Sequence, residues 1–290
     1  MNKYLLILIL FCGLSVSCSK DTTDSPQTGA ITVIADESFE NVTRVLKDRY
    51  MLFYPKTKIN LEIKKENVAL QDLLKGNARV IVLSRDLTSD EKKAFKQKFN
   101  SDIEPARFAA DGLVFIVSKE SALKSISVDE VKRRLQDGKN TLIFDGSNSA
   151  NTSFVAKRLG ISPNDLKYSS LSSNEDIIAQ INKYPNSIGV IGYNAISRPH
   201  NTEAKKFRES VNILPVINQE GKTVAISPDT MKNNAYPFTR ILYFITNEAY
   251  FGLGNGFIRF SCSQPGQIIV RKQGLQPFYI IPREVKITEE

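Results

Sequence analysis

Short apolar runs alternate with amphipathic stretches along most of this chain. AITVIAD, residues 30–36, is an apolar run ending in a polar turn, and SFENVTRVLKDRYMLF behind it repeats Phe39, Val42, Val45, Leu46, Tyr50 and Phe53 at helical spacing. Ser38 stands where an N-cap belongs. The pattern goes on to predict a strand in INLEIKK, a helix in NVALQDLLKG, a strand in RVIVLS and a helix in SDEKKAFKQKF. Strands alternating with helices predict an α/β fold, a mostly parallel sheet with helices on both faces.

After Asp111 the texture changes. GLVFIVSKES reads as a long apolar strand, SVDEVKRRLQDG as a helix stopped by Gly138, and TLIFDGS as a strand. TSFVAKRLG and NEDIIAQINKYP read as helices, SIGVIGYNAI, VNILPVIN and AYPFTRILYFITN as strands, and GNGFIRFSCSQPGQIIVRKQG as a closing helical segment broken at Pro265 and Gly266. These pieces predict two lobes, with the chain crossing near 113–118 and returning near 213–245. The expected boundaries are residues 31–115 plus 235–290 for one lobe and 116–234 for the other.

Open sheets of this kind bind ligands outside the carboxyl ends of their strands. Four polar loops, ADES, LSRD, AADG and DGSNSANTS, all follow predicted strands and so are expected at one crevice. The last is dense in Gly, Ser, Asn and Thr and opens a helix. Unpaired N–H groups and the positive end of the macrodipole make such a helix start a seat for an oxyanion, although ordinary capping has the same composition.

The first residues, MNKYLLILILFCGLSVSC, place one lysine before a short apolar run and then small residues, the layout of a secretory signal peptide over residues 1–17. The run is too short for a permanent membrane span. Cys18 resembles the lipid-acceptor cysteine of a bacterial lipoprotein, with Ser15 where that motif has Leu, Val or Ile. Residues 18–30 then read as a lipidated polar tether. An extracytoplasmic, membrane-anchored monomer is expected, on the inner membrane's periplasmic face or on the outer membrane. With Cys12 removed and Cys18 acylated, Cys262 is the one remaining thiol, which excludes an internal disulfide.

Composition narrows the chemistry further. Losing Lys3 with the leader leaves 38 basic against 31 acidic residues, a balance of +7. Those charges are interspersed, as in KKENVALQDLLK, which describes a solvated surface and argues against nucleic acid. His200 is the only histidine, no nucleophile elbow precedes a helix, and no His, Cys or carboxylate set has metal spacing. No catalytic residue, metal or cofactor is expected.

The ordered series ITVIADESFENV, VIVLSRDLTSDEKKAF, FAADGLVFIVSKES, SVDEVKRRLQDG, SIGVIGYNAISR, AYPFTRILYFITN and GFIRFSCSQPGQIIVRKQGLQPFY resembles the substrate-binding proteins of phosphate ABC transporters, in their Bacteroidetes-type lipoprotein branch. The resemblance spans Ile31 to Tyr279. It implies a two-lobed periplasmic-binding-protein fold of type II with a two-strand hinge. It also implies a cleft that captures phosphate or another tetrahedral oxyanion and presents it to ABC transporter membrane subunits. The implied ligand residues are Ser38 with the backbone of Glu37 and Phe39, then Ser84 and Arg85, Asp111, and Ser147, Asn148, Ser149, Asn151 and Thr152. Arg85 would supply a planar fork of donors, or pair with Asp86 or Asp90 at the surface. Asp111 would accept a hydrogen bond from a protonated anion, so selecting phosphate over sulfate, or cap a turn before Gly112.

The family pattern is not fully kept. Ile143 stands where the pattern has an arginine two residues before the Asp of its Asp-Gly-Ser-Gly-Thr loop, and Asn148 and Ser149 replace the Gly-Thr pair. A charge-assisted hydrogen bond contributes ~1.5–3 kcal/mol, so this loss implies roughly tenfold to over a hundredfold weaker phosphate binding, or a different oxyanion. The other expectation is a cell-envelope sensor or accessory protein that keeps the fold with an altered cleft.

Overall fold

The computed structural model describes residues 24–146 and 149–279; the leader, Cys18, and Ser147 and Asn148 lie outside the described residues. The first lobe begins with β1 (Gly29–Ala35), a single 3-10 turn, α1 (Glu40–Phe53), β2 (Thr57–Ile63), α2 (Glu66–Lys75), β3 (Val80–Leu83) and α3 (Ser89–Phe99). β1 pairs in parallel with both β2 and β3. Because side chains alternate across a strand, Val33, Val80 and Val82 enter the core under α1, while Ile34, Ile81 and Leu83 enter the core under α2 and α3. Burial on both faces is why these strands read as unbroken apolar runs.

β4 (Ala106–Ser118) leads into the second lobe: β5 (Ile126–Ser127), α4 (Val128–Arg134), β6 (Leu142–Phe144), α5 (Ala150–Leu159), β7 (Ser169–Ser170), α6 (Asn174–Lys183), β8 (Ile188–Gly192) and α7 (Asn194–Ser197). There follow α8 (Thr202–Ser210), β9 (Val211–Leu214), β10 (Val216–Ile217), β11 (Thr223–Val224) and α9 (Pro228–Lys232). The chain returns to the first lobe as β12 (Thr239–Thr246), α10 (Leu253–Cys262), α11 (Gln264–Lys272) and β13 (Gln276–Pro277).

β4 is the physical link between the lobes. Its first half pairs antiparallel with β12, Ala106 opposite Phe244 through Gly112 opposite Thr239, and its second half pairs with β8 and β9. The result is a ten-stranded mixed sheet in the order β2-β1-β3-β12-β4-β8-β6-β7, with β9 and β13 also on β4, beside a small sheet of β11, β10 and β5. Parallel pairing is confined to the outer strands of each half; around the crossover the strands run antiparallel. Leu113, Phe115 and Val117 point into one second-lobe core, and Val114 and Ile116 into the other.

Several local expectations change. AADG is no loop, because β4 runs straight through it with Phe108 to Val117 buried. NAI of GYNAI is helical, Pro215 splits VNILPVIN into two strands, and α8 occupies TEAKKFRES, where no helix is expected from the sequence. The last residues of the segment expected as a tether are also structured, with β1 starting at Gly29. Asp24 accepts two hydrogen bonds from Arg79 (2.8 and 3.0 Å) and one from the Leu253 amide (3.2 Å), so residues 24–28 are packed onto the first lobe. Burial raises the Asp24 carboxyl, but the bonds from Arg79, Tyr250 and Leu253 outweigh it and hold the group below its ordinary value. No helix among the described residues is long and apolar enough to cross a membrane.

Candidate functional site

The carboxyl ends of β1, β6 and β8 deliver Glu37 and Ser38, Asp145, and Gly192 to Asn194 to one hollow of about 140 Å³ between the lobes. The first lobe contributes Glu37, Ser38 and Asn41, and the second contributes Asp145, Asn151, Asn194 and Arg198 among others. The hollow is where strand-end logic puts it.

Its donors converge on a side-chain carboxylate. Asp145 accepts from Ser149 Oγ (3.0 Å), from Asn151 Nδ2 (2.9 Å) and, across the cleft, from Ser38 Oγ (3.5 Å). Ser149 is the N-cap of α5, with its Oγ accepting from the Thr152 amide at 3.2 Å, so the helix start holds this group in place. Burial pushes the Asp145 carboxyl up to about 6; hydrogen bonds from Ser149 and Asn151 pull the other way, and the negative charge of Asp36 adds to the rise. Ser149 donates to Oδ1, and Asn151 and Ser38 to Oδ2, so the carboxylate draws three donors, as a small oxyanion would.

Arg240 ties the lobes together beside that seat. Its side chain is fully buried and donates to Asp111 Oδ2 from Nη2 (2.7 Å) and Nε (3.2 Å), and to Asn151 Oδ1 from Nη1 (2.7 Å). The same guanidinium lies 4.7 Å from the centre of the Phe39 ring. Asn194 completes the bridge: its amide donates to Asp111 Oδ1 (3.2 Å) and its side chain donates to the Ser38 carbonyl. A Cβ on Gly192 would stand 2.9 Å from Asn194 Oδ1 and 3.2 Å from Arg240 Nη2, so a larger residue there would push on this bridge.

The sequence-derived ligand set therefore divides. Glu37, Ser38, Ser149 and Asn151 meet at or beside the hollow. Phe39 is core, and its amide and that of Ser38 already donate to the Asp36 carbonyl and carboxylate, at 2.8 and 3.1 Å. Thr152 is buried in the cap. Asp111 neither caps a turn nor faces the hollow: it sits inside β4, held by Arg240 and Asn194, because an uncompensated buried guanidinium is far costlier than a paired one. Ser84 donates its amide to the buried Glu66. Arg85 makes a two-pronged pair with Glu91 (2.7 and 2.8 Å), itself the N3 residue of the α3 capping box, rather than with Asp86 or Asp90. Asp145, Arg240 and Asn194 stand in DGSNS, YPFTR and GYNAI, but only the pairing of β12 and β8 with β4, and of β6 with β8, brings them to one place, with Asn151 bonded to both Arg240 and Asp145.

Electrostatically the hollow is mixed. Glu37, Glu40, Glu175 and Glu203 line it along with Asp145, against Arg198, whose Nε has no hydrogen-bond partner among the described residues. Burial raises the Glu37 carboxyl; Lys65 opposes this and Asp36, Glu40 and Glu175 reinforce it. Lys65, the residue before α2, reaches the second lobe, its Nζ 3.7 Å from where a Gly146 Cβ would stand. It is a cation next to the loop after β6, in which Ile143 is a buried core residue, and its place in KKENV gave no sign of this proximity. His200 is exposed, and no group of three His, Cys, Asp or Glu side chains among the described residues could hold a metal ion.

A match to the PBP superfamily domain covers residues 21–265. The chain belongs to that family. Phosphate-binding protein PstS of Borreliella burgdorferi is 23% identical over 292 residues, covering 93% of this chain and 96% of that protein. An ABC-type phosphate transport receptor from Vibrio cholerae superposes with a TM-score of 0.69 at 16% identity, over 86% of this chain and all of that one. The OxyR2 regulatory domain of Vibrio vulnificus also shares the fold, with a TM-score of 0.54 at 10% identity over 81% of this chain and 94% of that domain. The two-lobed α/β architecture expected from the sequence is thus the one present, and the fold alone serves more than one purpose.

Proposed function

We propose that this chain is a solute-binding protein that captures a protonated tetrahedral oxyanion, foremost inorganic phosphate, between its lobes and passes it to the membrane subunits of an ABC transporter. The observation that carries the reading is the convergence of Ser38, Ser149 and Asn151 from both lobes on Asp145. An oxyanion seated there shares those donors, with the α5 N-terminus beside it and Lys65 and Arg198 as the nearby cations. Asp145 takes the selecting role first assigned to Asp111. A carboxylate beside an anion needs one proton between them, which phosphate carries at neutral pH and sulfate does not.

Capture and closure are coupled in this scheme because Ser38 belongs to one lobe and Asp145 to the other. Only contacts made in the closed arrangement shift the hinge equilibrium. We further propose that Cys18 is acylated and that the protein works outside the cytoplasm on a lipid anchor, as a binding protein without catalytic activity. The names of relatives at 23% identity, phosphate-binding proteins, support phosphate as the ligand. Calorimetric titration of anion-stripped protein with phosphate, sulfate and other small oxyanions tests it, with one phosphate per chain expected. A second reading, an envelope sensor or accessory protein, is favoured by the direct Arg240–Asn151 and Asn194–Ser38 bridges and by the lining carboxylates. It predicts no heat with any anion in the panel.

A further inference from the structure

At the opposite end of α1 from the cleft, the last turn of that helix meets α10 and α11 around a second hollow, of about 620 Å³, lined by Pro26, Phe53, Tyr54, Phe251, Arg259 and Phe260 among others. α1 starts at the cleft with Glu40 and ends at Phe53, so its fourteen residues separate the two sites by roughly 20 Å. Phe53 and Phe251 are 52% and 55% exposed, a large surplus of aromatic surface for one rim. Arg49 lies over the Phe53 ring at 4.9 Å and Arg259 over the Phe251 ring at 5.7 Å, and neither arginine, nor the exposed Lys56 after α1, has a carboxylate partner among the described residues. Exposed rings carrying unpaired cations suit a bilayer interface, where the rings enter the headgroup region and the cations meet anionic headgroups.

The course of the chain points to the same occupant. Asp24, Ser25, Pro26 and Gln27 are fixed at this pole, the last three lining the hollow and Asp24 held by Arg79, Tyr250 and the Leu253 amide. Cys18 stands six residues before Asp24, a separation that even a fully extended chain limits to roughly 20 Å. On the reading that Cys18 is acylated, this pole is held at the membrane surface, where a short tether gives even weak contacts a high effective concentration. We infer that the aromatic and basic pole around Phe53, Phe251, Arg49 and Arg259 is a docking face for the anionic phospholipid bilayer that holds the anchor.

The chain contains no tryptophan. Phe53→Trp and Phe251→Trp are therefore single-indole reporters, and Tyr184→Trp, at an exposed site on the second lobe, is the control. The processed full chain is reconstituted in phosphatidylcholine and phosphatidylglycerol vesicles with brominated acyl chains, and its mass is measured. The expected result is a blue shift and at least twofold quenching at positions 53 and 251, with neither at 184, and loss of the effect with Phe251→Glu. An acylated chain with no quenching at either position overturns the docking face and leaves the anchor standing. A mass without lipid overturns the anchor, and quenching on adding the same vesicles to that chain then decides the face on its own. A dimer in sedimentation that Phe251→Glu abolishes, with no vesicle quenching, assigns the face to a second copy instead. Phosphate titration of Phe251→Glu reports separately on the cleft and is expected to match the parent chain.

Discussion

Replacing Asp145 by Asn removes a cleft carboxyl that its surroundings push up to about 6. Sulfate carries no proton at neutral pH, so its binding beside Asp145 requires the carboxyl to be protonated first. At pH 8, two units above the Asp145 value, that costs about 2.7 kcal/mol, or roughly a hundredfold in affinity. Phosphate brings its own proton and escapes most of that penalty. Asp145→Asn is accordingly expected to raise sulfate affinity at pH 8 by about a hundredfold and to abolish its tenfold decline per pH unit above about 6. Phosphate affinity should change far less, so the preference for phosphate collapses. Competition calorimetry between about pH 6 and 8 reads both. A variant that keeps the parent's sulfate slope, or its phosphate-to-sulfate ratio, refutes the assignment. Unliganded stability gives a second reading of the same group. Its folded value is raised, so its contribution is complete below the ordinary value of 3.8 and is lost as pH rises to about 6, a change of ~3 kcal/mol. In denaturant titrations the variant should gain on the parent protein by that order across this window, less the cost of a donor that the new amide leaves unpaired.

Asp111→Asn should leave anion selectivity largely alone and cost ~3–5 kcal/mol in denaturant stability, since it strips the charge partner from the fully buried Arg240. Arg85→Ala is expected to change phosphate Kd less than about threefold while lowering stability by ~1–3 kcal/mol through the Glu91 pair, as calorimetry and thermal melts on one preparation will show. Asp24→Asn should loosen residues 24–28, costing ~1–3 kcal/mol at neutral pH. Because the folded Asp24 value is depressed, that difference should disappear as pH falls through it, and limited proteolysis near Ser25 should quicken in the variant at neutral pH.

What could be read from the chain, and what could not, follows from the range of the interactions. Strands such as VIVL, buried on both faces, and helices opened by Thr88 or Ser149 carry their signals within a few residues. The serine- and asparagine-rich opening of α5 was legible as a seat for oxygen atoms on the same grounds. The partners of charged side chains were not. Arg85 lies six residues from Glu91, and its choice of Glu91 over Asp86 or Asp90 depends on the geometry of a capping box. Asp111 and Arg240 are 129 positions apart, and only the register of β4 against β12 makes them neighbours. AADG read as a turn because Ala, Asp and Gly are poor strand formers, yet Gly112 and Asp111 are paired in the middle of the crossover strand. The helix in TEAKKFRES is dominated by charge and buries only Ala204 and Phe207, too faint a stripe to announce itself.

In the proposed binding mode a tetrahedral oxyanion seats between the lobes against Ser38, Ser149, Asn151 and Asp145. Arsenate has the shape and the retained proton of phosphate and scatters anomalously, so diffraction from crystals grown with it locates the seat directly. One anomalous peak per chain is expected, within hydrogen-bonding distance of Ser38 Oγ and Asn151 and next to Asp145. An empty cleft at saturating arsenate, or a peak bound elsewhere on the molecule, contradicts it.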